Sequence, residues 1–164
     1  MFGDVADAFG REVAERGYEL VYGGGNVGLM GRVADAALEF GGRVVGIIPD
    51  FLSEREVAHT AISECIVVDD LFERKALMIE RSDAFVALPG GIGTYDEILE
   101  VIAWRQLRQL RQPIGLLNVG GFFAPFMALL EHSAANGFIR AEEIEHIHLE
   151  PDAMSLITAL ESET

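Results

Sequence analysis

Leu88-Pro89-Gly90-Gly91-Ile92-Gly93-Thr94-Tyr95-Asp96-Glu97 is the stretch from which the fold can be read. An apolar run over 83–88 leads into it, and a long amphipathic pattern over 94–110 leaves it. That order predicts a strand, a glycine turn and a helix start. Glycines packed this closely bring bare backbone N–H groups to a helix N-terminus, where the partial positive charge favours anions. Thr94 is placed to cap the helix, and Thr94-x-x-Glu97 has the spacing of a capping box. A capping box explains a Thr and a Glu at this spacing, but not the three glycines or the proline before them.

The flanking chain alternates helix and strand patterns. Residues 2–16 carry Phe2, Val5, Ala6, Phe9 and Val13 at helical spacing. A short strand at 19–22 runs into Gly23-Gly24-Gly25-Asn26-Val27-Gly28-Leu29-Met30-Gly31, and a helix follows over 28–40. Strands are predicted at 43–48, 64–68, 113–119 and 144–149. Helices are predicted at 71–81, 122–136 and 151–160, with Pro151 in the first turn of the last. Residues 49–60 read as a loop with at most a short helix. Continuous apolar strands alternating with helices predict a Rossmann-like, doubly wound α/β fold: a mostly parallel sheet with helices on both faces. The length suits one nucleotide-binding domain over 1–164. Folds of this kind open on a strand, whereas this chain opens on a helix, so the first strand is expected to be missing. The helix over 94–110 is apolar on more than one face, which predicts a second buried side at a homodimer contact.

Lys+Arg is 12 and Asp+Glu is 27, a formal charge of −15. Such a surface repels nucleic acid and anionic membranes, and no apolar run is long enough to span a bilayer. A small phosphorylated ligand stays compatible, because a nest of N–H groups with one or two arginines outweighs distant charge. The single cysteine, Cys65, excludes an intrachain disulfide and points to the cytoplasm. Its place in Cys65-Ile66-Val67-Val68 predicts a buried structural thiol. His146-x-His148 shares one strand face without a third ligand nearby, so no metal site is expected.

Gly23-x-Gly25-x-x-Gly28, with Asp50 further on, matches the dinucleotide fingerprint literally and leaves a nicotinamide enzyme as an alternative. Two glycine turns on separate strands suit a mononucleotide better. One, with Gly24 and Gly25, would approach base or sugar, while the other holds the 5′-phosphate. Arg74-Lys75 reads either as a solvated pair or as a fork for phosphate or carboxylate. Glu56 and His59 lie in the irregular segment, as ordinary exposed polar groups or as functional ones.

Leu-Pro-Gly-Gly-Ile-Gly-Thr-Tyr-Asp-Glu at 88–97, with Arg74-Lys75 upstream, the glycine turn at 23–31 and Pro113-Ile-Gly-Leu-Leu-Asn-Val119, resembles the LONELY GUY (LOG) family. The resemblance implies a cytokinin riboside 5′-monophosphate phosphoribohydrolase, cleaving the N-glycosidic bond of AMP or N6-modified AMP to free base and ribose 5-phosphate. It implies Arg74 and Glu97 as the catalytic pair. It also implies nucleotide contacts from Glu56, Arg74, Lys75, Gly91, Ile92, Gly93, Thr94, Tyr95, Asp96 and Glu97, and no cofactor. Members have carried a lysine decarboxylase label, but a pyridoxal-phosphate enzyme needs a Schiff-base lysine and Lys75 is the only lysine in the chain. Breaking C1′–N9 builds positive charge on the ribose. A carboxylate at Glu97 could stabilise that charge, hold ribose hydroxyls or orient water. A non-catalytic nucleotide-binding module is the competing class.

Overall fold

Strand and helix patterns alternate in the computed structural model as the hydrophobic spacing predicts. It describes residues 1–53 and 58–163. The chain divides into two compact units, Met1–Ser82 and Asp83–Thr164.

The first unit runs α1 (Phe2–Glu15), β1 (Leu20–Tyr22), α2 (Gly28–Glu39), β2 (Val44–Pro49), α3 (Asp50–Ser53), β3 (Glu64–Val68) and α4 (Leu71–Glu80). The three strands form a parallel sheet in the order β1-β2-β3. All six residues of β2 are buried, as expected for the central strand of a parallel sheet covered on both faces. Val45 and Ile47 share one face with Val68 and are covered by Leu77 and Met78 of α4. Successive side chains alternate, so Val44 and Ile48 point the other way, and both are fully buried there. Asp70 caps α4, accepting from the N–H groups of Phe72 and Glu73 at 2.8 Å each. Glu73 reaches back to the Asp69 N–H at 2.9 Å. This reciprocal arrangement sets where α4 begins, and so where Arg74 and Lys75 fall on it.

The second unit runs β4 (Phe85–Ala87), α5 (Ile92–Gln106), β5 (Ile114–Leu117), a short 3-10 turn (Val119–Gly121), α6 (Ala124–Ala135), α7 (Ala141–Glu145), β6 (Ile147–Glu150) and α8 (Ala153–Glu161). Its sheet is also parallel, in the order β4-β5-β6. Phe123, Ile114, Leu116, Leu117 and Leu156 are its most deeply buried side chains. The parallel strands and flanking helices make this a Rossmann-like α/β fold.

Four local expectations are corrected. Cys65 is exposed, not buried. It sits on β3, which among the described residues pairs with β2 alone, and its alternating pattern turns Cys65 and Val67 outward. Pro151 precedes the last helix instead of entering it, and Asp152 is the cap, accepting from Ser155 N–H at 2.9 Å. Residues 144 and 145 belong to α7, which shortens the predicted last strand. The long helix α5 starts at Ile92, two residues before Thr94.

Among the described residues, no helix is long and apolar enough to cross a membrane.

Candidate active site

The second glycine turn lies between β4 and α5. Gly91 is the N-cap residue of α5 and makes no side-chain cap bond. Ile92, Gly93 and Thr94 are the first three helical residues. The first intrahelical bond of the turn runs from Tyr95 N–H to Gly91 O at 3.1 Å. The N–H groups before Tyr95 have no partner inside the helix and face the end where the helix dipole is positive. Nothing lies within 4 Å of where a side chain would stand at Gly91 or Gly93. Ile92 between them is 84 % exposed. The turn therefore presents bare backbone to open space.

Thr94 is not the cap, so Thr94-x-x-Glu97 is not a capping box. Its side chain folds back over the turn instead: a methyl added at Gly90 would fall 2.1 Å from Thr94 Oγ1. A glycine is needed at 90 for the hydroxyl to lie there. Glu97 stands three residues after Thr94 and four after Gly93, hence on the same helix face as both, and it is half-buried. Asp96 is exposed. The Tyr95 ring is stacked on Phe126 of α6, with centroids 5.9 Å apart. Phe126 in turn meets Phe123 edge-on at 6.2 Å. Tyr95 thus works as the anchor that holds the start of α5 against α6.

In the first unit the structure brings Arg74 to the first glycine turn. The guanidinium lies across Gly23, with Nη1 3.5 Å from the position a β-carbon would take there. Gly24 has φ +76°, a conformation side chains rarely adopt, and a β-carbon there would also lie 3.0 Å from Ile48 Cβ. Its carbonyl accepts from His59 N–H at 3.0 Å, and Gly25 pairs with Ala58 in an antiparallel bridge. Gly23, Gly24 and Gly25 are all buried, and the guanidinium of Arg74 beside Gly23 is the feature that the sequence did not show. Lys75 is half-buried, and its Nζ lies 5.6 Å above the exposed ring of Phe72. Glu56 lies outside the described residues.

His59 departs from the exposed polar group that its loop position suggests: it is 4 % exposed. Its Nε2 is 2.8 Å from Asp35 Oδ1 on α2. Asp35 carries no local sequence signal for this role; a histidine in the irregular segment after β2 was the available clue.

Tyr22, at the end of β1, has a buried hydroxyl. Its ionisation is pushed well above the ordinary tyrosine range, by burial first and then by charge at Cys65 and Asp35. Among the described residues no group of three His, Cys, Asp or Glu side chains could hold a metal ion.

Residues 30–160 match a family model described as possible lysine decarboxylase. The chain is 47 % identical over 164 residues to a probable cytokinin riboside 5′-monophosphate phosphoribohydrolase of Oryza sativa subsp. japonica, which covers 100 % of this chain and 74 % of that protein. The chain belongs to the LONELY GUY family. A second rice relative, the cytokinin riboside 5′-monophosphate phosphoribohydrolase LOG, is 46 % identical over 158 residues, covering 96 % of this chain and 65 % of that protein. A solved structure titled as the molybdenum cofactor carrier protein from Chlamydomonas reinhardtii aligns with TM-score 0.74 at 22 % identity, covering 99 % of this chain and 87 % of the other. That likeness speaks for the fold alone.

The LONELY GUY relatives and the decarboxylase description of the family model differ, and the residues decide between them. A Schiff base forms from a neutral amine, and Lys75 is the only lysine. Its ammonium lies over the face of Phe72, a contact that rewards positive charge. The residues do not fit pyridoxal phosphate. The strand-turn-helix context of the dinucleotide fingerprint is present at 20–39, but its Gly24–Gly25 backbone is engaged by Ala58 and His59. In the fingerprint that backbone is the part that approaches a pyrophosphate.

Proposed function

We propose that this LONELY GUY family chain hydrolyses the N-glycosidic bond of AMP and of cytokinin riboside 5′-monophosphates, releasing free base and ribose 5-phosphate. The observation that carries the reading is the 47 % identity, over all 164 residues, to a relative named for that reaction. The open N-terminus of α5 supports it: a dianionic phosphate suits the N–H groups at 91–94 with the Thr94 hydroxyl beside them.

With the phosphate held there, the sugar falls towards the helix face that carries Glu97. Water adds its oxygen to C1′ as the C1′–N9 bond breaks. The bonding pair leaves with the purine, which takes up a proton, while the water gives one up. The ribose passes through an oxocarbenium-like state. The Glu97 carboxylate stabilises that charge and orients the water; Arg74 binds a phosphate oxygen or a carboxylate through its forked donors. Gly91, Ile92, Gly93, Thr94 and Asp96 contact the nucleotide, with Lys75 and Glu56 as further contacts.

The proposal includes a homodimer. Leu99, Trp104 and Leu107 of α5 and the turn after it are exposed, while Ile98 and Val101 on the same helix are buried. A cytoplasmic setting also belongs to it, because an exposed free thiol at Cys65 persists in a reducing compartment.

The test is to incubate the protein with AMP and with isopentenyladenosine 5′-monophosphate and to separate the products. Free base and ribose 5-phosphate in equal amounts are expected. Bound AMP with no base released would make the chain a binding module instead.

A further inference from the structure

His59 is the one buried residue of the polar and charged classes among the described residues. Burying an imidazole is costly unless both ring nitrogens are satisfied. Here both are. Nδ1 accepts the Ala61 N–H at 3.3 Å, so it carries no proton. The proton of the neutral ring is therefore on Nε2, which donates to Asp35 Oδ1 at 2.8 Å. The main chain of the same residue donates to Gly24 O at 3.0 Å, and its neighbour Ala58 pairs with Gly25. Asp35 sits on α2, the helix that leaves the glycine turn. One residue thus ties together the turn, through its main chain, and the helix after it and its own segment, through its ring. Gly23, at the start of that turn, is the residue the Arg74 guanidinium crosses.

We infer that His59 is a positioning residue for nucleotide binding: its ring, anchored on Asp35 and Ala61, fixes the 58–61 segment, whose main chain holds Gly24 and Gly25, and the turn so held sets the Arg74 guanidinium across Gly23. This rests on the reading of Arg74 under Proposed function. His59 itself touches no substrate in this scheme. Its effect is on the geometry of binding and not on the chemical step, so it shows in KM and in AMP affinity more than in kcat.

The experiment compares wild type with His59→Ala, His59→Gln and Asp35→Ala, measuring AMP hydrolysis, AMP affinity by equilibrium titration, and thermal midpoint. Asp35 is largely exposed, so its replacement leaves the core intact even if His59→Ala fails to fold. His59→Ala is expected to raise KM and the AMP dissociation constant about tenfold with kcat within about threefold. Asp35→Ala should raise both by about three- to fivefold. His59→Gln, which keeps a donor within reach of Asp35, should recover most of the loss. In wild type, nitrogen-15 correlation spectra should show the neutral ring with its proton on Nε2.

Unchanged KM and AMP affinity in Asp35→Ala and in every folded His59 variant, with only the thermal midpoint lowered, would overturn the positioning role. So would a proton on Nδ1. A wild type that hydrolyses AMP while these variants match it sinks this inference alone. A wild type that neither binds nor hydrolyses AMP overturns both readings.

Discussion

Gly90→Ala is the substitution for which the structure makes the sharpest demand. The new methyl would stand 2.1 Å from Thr94 Oγ1 and 2.9 Å from Thr94 Cβ. Two non-bonded atoms of this kind approach to about 3.4 Å or more, so the hydroxyl has to swing off the turn, and the contact with Cβ, which rotation leaves in place, requires the backbone to shift as well. Gly90 is exposed and its φ is not in the left-handed region, so its own φ does not bar alanine. The backbone shift and the rotamer cost at a β-branched residue should lower stability by about 1–3 kcal/mol. Activity of the folded variant should fall as well. A hydroxyl donating to a charged phosphate is worth about 1.5–3 kcal/mol, which is roughly a 10- to 100-fold loss in kcat/KM. The assay is steady-state AMP hydrolysis alongside thermal melting, for Gly90→Ala, Thr94→Val and the double variant. If Gly90→Ala acts through the hydroxyl, the double variant is no worse than Thr94→Val. Retention of kcat/KM within about twofold, or fully additive losses, would refute the argument.

Three further outcomes can be checked separately. Arg74→Lys keeps the charge but loses the forked donors, and should reduce kcat/KM about tenfold or more with little change in melting. Asp7→Asn removes the pairing of Asp7 with Arg32, whose Nε donates to Asp7 Oδ1 at 2.9 Å and lowers the carboxyl below its usual range. Because the pair is half-exposed, the loss should be only about 0.2–1 kcal/mol. It should be present above the unfolded carboxyl value of about 4 and vanish as pH falls through the lower folded value. Tyr22, with its ionisation raised by burial, should stay un-ionised in phenolate absorbance titrations past the ordinary phenol value of about 10. Its contribution to stability is full below the unfolded phenol value of about 10 and is lost as pH rises through the folded one.

The alternation of strands and helices was legible because it rests on local periodicity: β2 is apolar throughout, and α5 does carry both buried and exposed apolar residues. Features that depend on distant partners were not. Cys65 looks like core in sequence, yet among the described residues β3 has only β2 as a strand neighbour and turns it out. His59 looks like a loop polar group, yet Asp35 lies 24 residues away on α2. Two stretches with the capping-box spacing fold differently. Asp70-x-x-Glu73 is a real cap, whereas Thr94-x-x-Glu97 lies inside a helix that begins at Ile92. The difference is that Gly90 and Gly91 allow the chain to enter the helix earlier, with Thr94 folded over the first of them. That leaves the N–H groups at 91–94 with no side-chain cap on Gly91. It also places Glu97 one turn further along the same face.

The central claim is that this carboxylate drives the cleavage of a nucleotide bound at the start of α5. Comparing wild type and Glu97→Gln for both AMP binding and release of free adenine tests it directly. The account predicts that the variant binds AMP within about threefold of wild type while turnover falls about 100-fold or more. Full turnover by Glu97→Gln, or wild type that holds AMP without releasing adenine, would contradict it.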